Sequence, residues 1–586
     1  MKAIKNILSI CSVALLLGSC QADLLETKPY GNVAAGNMWT SENFADKGVT
    51  AIYSTLRKSY VGLGLYQMDC LGVSTDCRDA DYPIMRNTIT TSNGMFSSYW
   101  SEHYSGISRA NDAIVHLPEV DMPENKKARY MAEAKVLRAY FYYKLNIMYK
   151  GVPVYLEPVE ASECTKGQET EAAVWQVIED DLTAAINEPN LPNIYTEGSS
   201  DYGRVTKGLA YALRGKAYLY QKEYAKAAAD FEAVSQCGFG LFEGDYKQLF
   251  KEANEQSKEM IFSVQCIDNN ETADGNSMSF RYGGRTTFGS CWNTILASTD
   301  FVDTYENIDG SKFNWDDYLP GYSSMEPKDR EVFFLRDGLT DAEKEAMKTA
   351  GADMSKYLPA GNEARIKAVY EKRDPRLTQT IITPYATYNG SGNSVDHTFT
   401  SRWPYYGADT DAPFDLRTDT QSHLYYLFRK FVAEGSSEMT NREKSPIDLP
   451  IIRYATVVLG LAEALNEQGK TAEAIEQVNL VRERAGVALL NSNAATQVNG
   501  QDDMRTRIQN EYRWETAGEG VSFYEEMRWK TWKESKFNNA DGTAGMKDIW
   551  GVITYNWTWG GDQYYVWPIP KHETDMNTSL TQNPGW

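Results

Sequence analysis

Histidine is scarce in this 586-residue chain, and the sequence motifs of common catalytic and metal sites do not occur in it. The five histidines, at positions 103, 116, 397, 423 and 572, are scattered, and no CxxC spacing is present, so no structural zinc site is expected. There is also no HExxH, no GxSxG and no phosphate-binding glycine loop. We therefore expect no catalytic residues, no bound metal and no cofactor.

Basic residues are also fewer than acidic residues. Lys and Arg number 59 against 80 Asp and Glu, which gives a formal net charge of -21. Because a field of this sign repels a polyanion, nucleic acid is not an expected partner. After the N-terminal region no apolar run approaches the ~18 residues that a membrane-spanning helix needs. The sequence therefore predicts no transmembrane helix.

What the chain has in plenty is aromatic residues, with 38 Tyr, 14 Trp and 20 Phe. These side chains combine flat apolar faces with polar edges, and their number exceeds what core packing alone usually needs. Hydrophobic residues make up 42% of the chain, which is enough to bury a core. The length is well above that at which one core stops growing, so two or more packed regions are expected.

The N-terminus has the pattern of an export signal. Lys2 and Lys5 precede an apolar run over residues 7–17, which is too short to span a bilayer but typical of a signal peptide. The run ends in Leu17-Gly18-Ser19-Cys20, which resembles a bacterial lipobox. We predict a signal peptide over residues 1–19 and lipidation of Cys20; the alternative is a soluble secreted protein in which Cys20 is incidental.

Eight cysteines are present, of which Cys11 falls in the signal and Cys20 is assigned to lipid. Export permits disulfides among the remaining six. Six cysteines allow 15 full pairings, and the sequence alone does not choose among them.

Helical periodicity predominates toward both ends of the chain. Apolar residues recur at helical spacing over 126–149, followed by Gly151 and Pro153, and Thr206 is a suitable N-cap for a helix that is followed by another over 224–234. The spacing in the latter pair matches a tetratricopeptide repeat and recurs over 452–485. The matching positions are Gly215, Tyr218, Ala227 and Phe231 in the first segment and Ala462, Gly469, Ala474 and Val478 in the second. Such pairs must stack on neighbours, so a helical superhelix is expected.

Residues 268–446 break this pattern with short runs separated by Gly, Pro, Asn and Asp. A stretch of this length inside a helical chain is usually functional. We predict a mainly α fold: a tetratricopeptide-like superhelix with a large irregular, loop-rich insert and few short strands. The predicted parts are the signal (1–19), an N-terminal helical part (20–267), the insert (268–446) and C-terminal helices with a closing segment (447–586).

An ordered series of motifs over the mature chain resembles the SusD/RagB family. The series includes, after the lipobox, Leu24-Leu25-Glu26 with Pro29, Leu137-Arg138-Ala139-Tyr140, Gly151-Val152-Pro153, Gly203-Arg204-Val205-Thr206, Arg373-Asp374-Pro375-Arg376, Arg453-Tyr454-Ala455, Asn479 with Arg482 and Arg484-Ala485-Gly486, Trp567-Pro568-Ile569-Pro570 and Gln582-Asn583-Pro584-Gly585-Trp586. One departure is Ser522, which stands where the family usually has Arg, so a local ion pair is expected to be missing.

The resemblance implies a lipid-anchored, surface-exposed outer-membrane lipoprotein. Its partners would be an oligosaccharide or polysaccharide and a SusC-like TonB-dependent barrel, to which it delivers the glycan. A peptide-binding uptake or adhesion protein of the same fold, and a surface glycoside hydrolase, are the alternatives, since 80 acids leave carboxylate pairs open. The segment 268–273 begins like a calcium loop, but Ala273 stands where an EF-hand needs Gly, so calcium is not predicted.

The resemblance also implies where the ligand lies, namely on a shallow aromatic arc built from residues 76–82 and about 277–322. A pyranose has an apolar C–H face and a hydroxyl rim, so it suits a Trp or Tyr face beside charged or amide groups. The candidate ligand-binding residues are Arg78, Asp81 and Tyr82 in the first segment and Tyr282, Arg285 and Trp292 in the second.

Each candidate has a structural alternative. Residues 78–82 also fit a solvated acidic loop, and Tyr282 and Trp292 also fit a small core beneath a long loop. For two other aromatic groups burial is favoured over ligand binding. These groups are Trp403 with Tyr405 and Tyr406, and Trp100 with Tyr104.

Overall fold

The structure is a computed structural model that describes residues 38–78, 82–267, 274–406, 412–418, 422–537 and 544–586. Its helices are α1 (Glu42–Tyr53), α2 (Leu65–Asp69), α3 (Gly94–His116), α4 (Glu124–Tyr149), α5 (Glu171–Ile186), α6 (Lys207–Gln221), α7 (Tyr224–Gln236), α8 (Met278–Tyr282), α9 (Thr299–Thr304), α10 (Pro327–Glu331), α11 (Asp341–Thr349), α12 (Asn362–Glu371), α13 (Pro375–Thr380), α14 (Tyr454–Glu467), α15 (Thr471–Ala485), α16 (Gln501–Glu515), α17 (Ser522–Trp529) and α18 (Lys571–Met576).

The strands are short and pair two by two. They are β1 (Thr75–Cys77), β2 (Met260–Val264), β3 (Ile295–Ala297), β4 (Ile381–Ile382), β5 (Thr387–Gly390), β6 (His397–Thr400), β7 (Leu427–Phe428), β8 (Leu449–Arg453), β9 (Ala544–Lys547) and β10 (Ile553–Trp557). The antiparallel pairs are β1 with β3, β2 with β8, β4 with β7, β5 with β6 and β9 with β10.

The helices predicted from periodicity are confirmed. α4 covers the predicted segment 126–149 and ends at Tyr149; the next residue, Lys150, adopts the left-handed conformation (φ 57°) before Gly151. α6 begins after Thr206, whose hydroxyl accepts a hydrogen bond from the Leu209 N–H at 3.2 Å. The repeat predicted over 452–485 is the pair α14 and α15.

These helices stack into the predicted superhelix. α3, α4, α5, α6 and α7 each pack on the next, and α7 then packs on α14, which is distant in sequence. The ring of Phe231 on α7 fills the junction: a Cβ on Gly215 would lie 2.7 Å from it, and a Cβ on Gly460 would lie 2.9 Å from it. Two glycines thus let three helices approach closely, as the tetratricopeptide pattern requires. The mainly α, tetratricopeptide-like fold is confirmed.

Between the two helical parts the elements are short. The longest helix in residues 274–406 is α12, with ten residues, and it is surrounded by one-turn helices and two-stranded sheets. β2 and β8 lie at the two ends of this insert and pair with each other, Met260 opposite Arg453. The insert therefore begins and ends at one place on the helical scaffold. The exact domain boundaries stay a prediction.

Many of the charged residues in the family-like motifs form a buried ion network. Arg453 donates to both Glu519 oxygens at 2.7 Å and to Glu515 Oε1 at 3.1 Å, and it also pairs with Glu259. Arg484 bonds Glu259 Oε2 at 2.9 Å. Pairing offsets part of the desolvation cost of these buried charges, and removal of one partner would leave the other unpaired at a high cost.

The network continues around the end of α16. Arg376 bonds Asp374 at 2.7 Å and Glu511 at 2.6 Å, and Arg482 bonds Glu511 at 3.0 Å. Burial acts to raise the pKa of Glu515, but the surrounding guanidinium groups bring it down to about 2. The charged residues of these motifs therefore join the two helical parts and the insert through buried ion pairs.

Ser522, which stands where the family that the sequence resembles usually has Arg, forms a hydrogen bond in the interior. Its hydroxyl donates to Asp69 Oδ1 at 3.1 Å, and Ser74 donates to the other oxygen, also at 3.1 Å. Burial raises the pKa of Asp69 to about 6. Ser522 therefore contributes one of two hydroxyl donors to a buried carboxyl group.

Some predictions fall outside the described residues, namely the signal, Cys20, Asp81 and the segment 268–273. Within the described ranges no helix is both long and apolar enough to cross a bilayer. The same residues contain no group of three or more His, Cys, Asp or Glu side chains that could hold a metal ion.

Candidate functional site

The site begins where β1 meets β3. β1 lies antiparallel to β3, with Cys77 opposite Ile295, and Cys77 is joined to Cys70 by a disulfide. This is the pairing that the sequence left open; Cys164, Cys237, Cys266 and Cys291 are free thiols. Lys536 Nζ also donates to Asp76 Oδ1 at 2.7 Å. β1 is therefore held by strand pairing, a disulfide and a buried ion pair.

This pairing places Arg78 beside Trp292. The Arg78 N–H donates to the Thr294 carbonyl at 2.8 Å, and Arg78 Nη2 donates to the Trp292 carbonyl at 2.9 Å. Two predicted site residues that are 214 positions apart are thus brought into contact.

The ring of Trp292 is exposed and packs on a buried aromatic ring. Its side chain is 41% exposed, and the ring packs on the buried ring of Phe280 at a centroid distance of 4.9 Å. The guanidinium of Arg442 lies 5.0 Å from the Phe280 ring and 6.0 Å from the Trp292 ring, while Arg281 lies 5.6 Å from Phe280. Arg442 also donates to the carbonyls of Gly289 and Ser290, which fixes the turn before Trp292.

Tyr82 is half-buried at the start of a short helical turn. Burial, followed by the nearby hydroxyls of Tyr60 and Tyr66, raises its pKa, while the positive charge of Arg281 acts in the opposite direction. Its hydroxyl therefore stays protonated at neutral pH and can both donate and accept hydrogen bonds. Arg281, whose charge acts on Tyr82, also lies 5.6 Å from the Phe280 ring.

The prediction that Tyr282 forms a ligand face is wrong. Its ring is fully buried and stacks on Phe428 at 4.5 Å, and its hydroxyl donates to the Gly518 carbonyl at 3.0 Å. Tyr282 is the last residue of α8, and its side chain lies in the core. It belongs to the small core that was its structural alternative.

Arg285 is half-buried, and its backbone N–H donates to the Arg417 carbonyl at 3.0 Å. Its charge acts to lower the pKa of the Cys291 thiol, which burial raises to about 12. Arg285 therefore lies near the residue before Trp292, and a direct role in binding stays a prediction.

The other aromatic groups divide as follows. Trp403 is buried and donates from Nε1 to Glu331 at 2.9 Å, whereas Tyr406 is 58% exposed beside the Arg336 guanidinium at 4.5 Å. Trp100 is buried, and Tyr104 donates its hydroxyl to the Pro153 carbonyl at 2.6 Å. The preference for burial is confirmed for Trp403 and Trp100 and is wrong for Tyr406.

The sequence reasoning missed the contribution of the C-terminal hairpin. Tyr555 on β10 is 36% exposed, and the Arg86 guanidinium lies 5.6 Å from its ring. Burial raises the pKa of the nearby Tyr425 to about 12, and the charges of Tyr555 and Arg78 make smaller contributions. No local sequence signal distinguishes the exposed Tyr555 from the buried Trp557 on the same strand.

We group the described candidate residues under one name, the ring face: Trp292, Arg78, Tyr82, Arg281, Arg442, Arg86 and Tyr555. It combines exposed aromatic rings with four guanidinium groups on a chain whose net charge is -21. Such a surface can stack against apolar ring faces and donate hydrogen bonds to hydroxyl groups around them.

Comparison with known protein families gives two matches that together cover most of the chain. A family model described as the SusD family matches residues 258–586, and one described as starch-binding associating with outer membrane matches residues 25–219. Among curated proteins, SusD-like protein P38 of Formosa agariphila is 25% identical over 550 residues, covering 90% of this chain and 92% of the relative. SusD-like protein P2 of the same organism is 25% identical over 513 residues, covering 85% and 82%.

Solved structures give the same fold. A SusD-like protein from Bacteroides fragilis superposes with a TM-score of 0.72 at 21% identity, covering 96% of this chain and 100% of that protein. A laminarin-binding SusD-like protein superposes with a TM-score of 0.63 at 24% identity, covering 94% of this chain and 100% of that protein. Surface glycan-binding protein A from Bacteroides fluxus superposes with a TM-score of 0.63 at 20% identity, covering 93% of this chain and 100% of that protein. At these identities the likeness shows the fold alone.

Proposed function

The chain belongs to the SusD family, and from this premise we propose that it captures oligosaccharides at the cell surface and delivers them to a SusC-like TonB-dependent transporter. The observation that carries the proposal is the ring face, above all the exposed Trp292 ring between Arg78 and Arg442. Family membership supports outer-membrane association and carbohydrate binding; the ring face supports where the carbohydrate lies.

A pyranose laid on the Trp292 ring would cover its exposed apolar surface. The hydroxyl groups at the rim of the sugar would then meet the guanidinium groups of Arg78, Arg281 and Arg442 and the hydroxyl of Tyr82, all of which donate hydrogen bonds. Phe280 behind the ring keeps it from turning inward, so little side-chain entropy is lost on binding.

The expected affinity is modest. By analogy with base stacking, each stacked ring contributes on the order of 1–3 kcal/mol before ordering costs are subtracted. Two or three rings then correspond to a dissociation constant of about millimolar to micromolar. A capture protein that must release its ligand to a transporter is served by such weak binding.

The anchor is proposed to be lipid on Cys20. With an acidic chain, electrostatic attraction to an anionic leaflet cannot hold the protein at the membrane. Each buried methylene of an acyl chain contributes about 0.8 kcal/mol, and two or more chains make attachment stable. Radiolabelled palmitate incorporated by the wild-type chain and lost in Cys20→Ala would support this assignment; equal labelling of both would exclude it.

The ligand class is tested by affinity electrophoresis of the purified mature protein in gels that contain laminarin, starch, xylan, mannan, inulin or pectin. We expect retardation by at least one polysaccharide, with no release of reducing sugar on prolonged incubation. Release of sugar would favour the hydrolase alternative. Absence of retardation together with binding to an immobilised peptide library would favour the peptide-uptake alternative.

A further inference from the structure

A groove of about 270 Å³ lies between α3, the segment 153–164 and residues 573–580 at the C-terminal end of the chain. Most of its wall is apolar, and its lining includes two carboxylates, Glu157 and Glu573, but no Lys or Arg. The groove belongs to the helical part of the molecule and contains no residue of the ring face. The lining residues used below are Ser101, Ser108, Val159 and Cys164.

Exposed apolar side chains lie on all three elements that form the groove. Val159 in its lining and Leu156 beside it are exposed, and so are Val115 on α3 and Met576 on α18. Met576 is 74% exposed and lies next to Asn577, which lines the groove. Large apolar side chains that are exposed close together mark a surface that another segment or molecule covers.

α3 turns an uncharged face toward the rim of the groove. Ser101, Ser108 and Val115 lie seven residues apart, so they share one face of the helix, and all three are exposed. Ser105, between the first two on this face, is uncharged as well. The short side chains leave a shallow channel along α3 that leads into the groove.

The described chain begins at the far end of this channel. Trp39 donates from Nε1 to Asp112 Oδ2 at 2.9 Å, and its ring stacks on His116 at a centroid distance of 6.1 Å. A Cβ on Gly48 of α1 would lie 2.5 Å from the same ring. Trp39 is therefore fixed between α1 and α3, one helical turn beyond Ser108.

The mature residues before Trp39 are long enough to reach the groove. Leu24 and Leu25, a pair from the family-like motifs that no feature described above explains, precede Trp39 by about fourteen residues, which span up to ~46 Å when extended. Along α3, Ser101 lies eleven residues from Asp112, or ~17 Å. The family model that matches residues 25–219 begins at Leu25, so this leucine belongs to the part of the chain that the family shares.

We propose that residues 24–37 return along the uncharged face of α3 and that Leu24 and Leu25 fill the groove. The chain's own segment is favoured over a separate partner because it is tethered at Trp39, which gives it an effective concentration of about millimolar at the groove. With lipid on Cys20, as proposed above, only residues 20–23 would remain between the acyl chains and the docked segment. They span ~14 Å at most, so the face formed by α18 and residues 153–164 would be held close to the membrane.

Cys164 provides the measurement, because it lines the groove and is an exposed thiol. Of the other free thiols in the described residues, Cys237 and Cys291 are buried and Cys266 is half-buried. The test compares rates of maleimide labelling of Cys164 in the mature chain carrying Cys20→Ser, with and without the double substitution Leu24→Ser and Leu25→Ser. A Cys164→Ser variant identifies the signal, and Ala22→Ser is the matched control because residue 22 lies outside the proposed docked part.

We expect the double leucine variant to be labelled about ten-fold faster than the parent chain, because burial of two leucines holds the segment over the thiol. Ala22→Ser should be labelled as the parent is, and the melting temperatures of all three should agree within a few degrees. Equal labelling rates of the parent and the double leucine variant would overturn the proposal and leave the groove to a separate partner. The Cys20→Ser background makes the result independent of the lipid anchor and of glycan binding.

Discussion

Arg78 Nη2 donates a hydrogen bond to the backbone carbonyl of Trp292 at 2.9 Å. This bond connects the loop after β1 with the turn before β3, and it places a guanidinium group at the edge of the only strongly exposed Trp ring among the described residues. The arrangement fixes a flat apolar face and a hydrogen-bond donor in register before any ligand arrives. Such preorganisation lowers the ordering cost of binding.

Replacing Trp292 by Ala should lower glycan affinity about 5- to 150-fold, because the stacking surface is lost. The melting temperature should stay within a degree or two, since the ring is 41% exposed. Leu480→Ala is the matched control: Leu480 is 46% exposed on α15, outside the ring face, and its variant should bind as wild type does. Titration calorimetry and thermal melting measure both quantities. Equal affinity of wild type and Trp292→Ala would remove this residue from the site.

Two substitutions of Tyr82 distinguish the contribution of its ring to glycan binding from that of its hydroxyl. Tyr82→Ala should weaken glycan retention in affinity gels. Tyr82→Phe keeps the ring and should lose only the binding free energy of the hydroxyl's hydrogen bond, about 0.5–1.5 kcal/mol. A result in which both variants match wild type would leave residues 78–82 as the solvated loop that was their alternative.

The close packing around Phe231 predicts that substitution by alanine destabilises the fold at Gly460 but not at Gly94. Gly460→Ala places a methyl group 2.9 Å from the Phe231 ring and should destabilise the fold by about 1–3 kcal/mol. Gly94→Ala, in the first turn of α3, meets nothing within 4 Å and should be neutral or slightly stabilising. Urea unfolding of the two variants gives both values. Equal stability of the two would contradict close packing of α7 on α14.

Glu255 and Asp448 predict a pH effect on stability. Burial, followed by the charge of Asp448, raises the pKa of Glu255 to about 9, and burial raises the pKa of Asp448 to about 7. The folded state therefore binds more protons than the unfolded state between about pH 4.5 and 9, so the pair contributes stability at low pH that is lost as the pH rises through this window. Glu255 accepts the Asp448 N–H at 2.6 Å, a bond that Gln can also accept.

The predicted loss of stability with rising pH is checked by the melting temperatures of wild type and Glu255→Gln, measured from pH 5 to pH 9. The two should agree near pH 5, and the variant should become the more stable of the two as the pH rises. Parallel curves over the whole range would mean that Glu255 titrates in the folded protein as it does in solution.

The sequence predicted the scaffold well because its signals are local. The periodicity over 126–149 and the capping Thr206 depend on residues within a few turns of one another, and they correspond to α4 and α6. The glycine and aromatic spacing at Gly215 and Phe231 predicted the helix pair, but not that Gly460 receives the same ring from the other side.

The site was harder because its contacts are distant in sequence. Tyr282 and Trp292 are ten positions apart in a loop, and nothing local indicates that one ring is buried against Phe428 while the other is exposed. Tyr555 was missed because its neighbour Arg86 is more than 450 residues away along the chain. The sequence left 15 full pairings of six cysteines open, and the folded chain forms none of them: it joins Cys70 to Cys77 and leaves the other four as free thiols.

The most direct measurement of the central claim is a crystal structure of the mature protein with a bound oligosaccharide from the polysaccharide that retards it. The account predicts one sugar ring stacked on Trp292, with its hydroxyl groups hydrogen-bonded to the guanidinium groups beside it. A ligand bound elsewhere on the protein, with the Trp292 ring left bare, would contradict it.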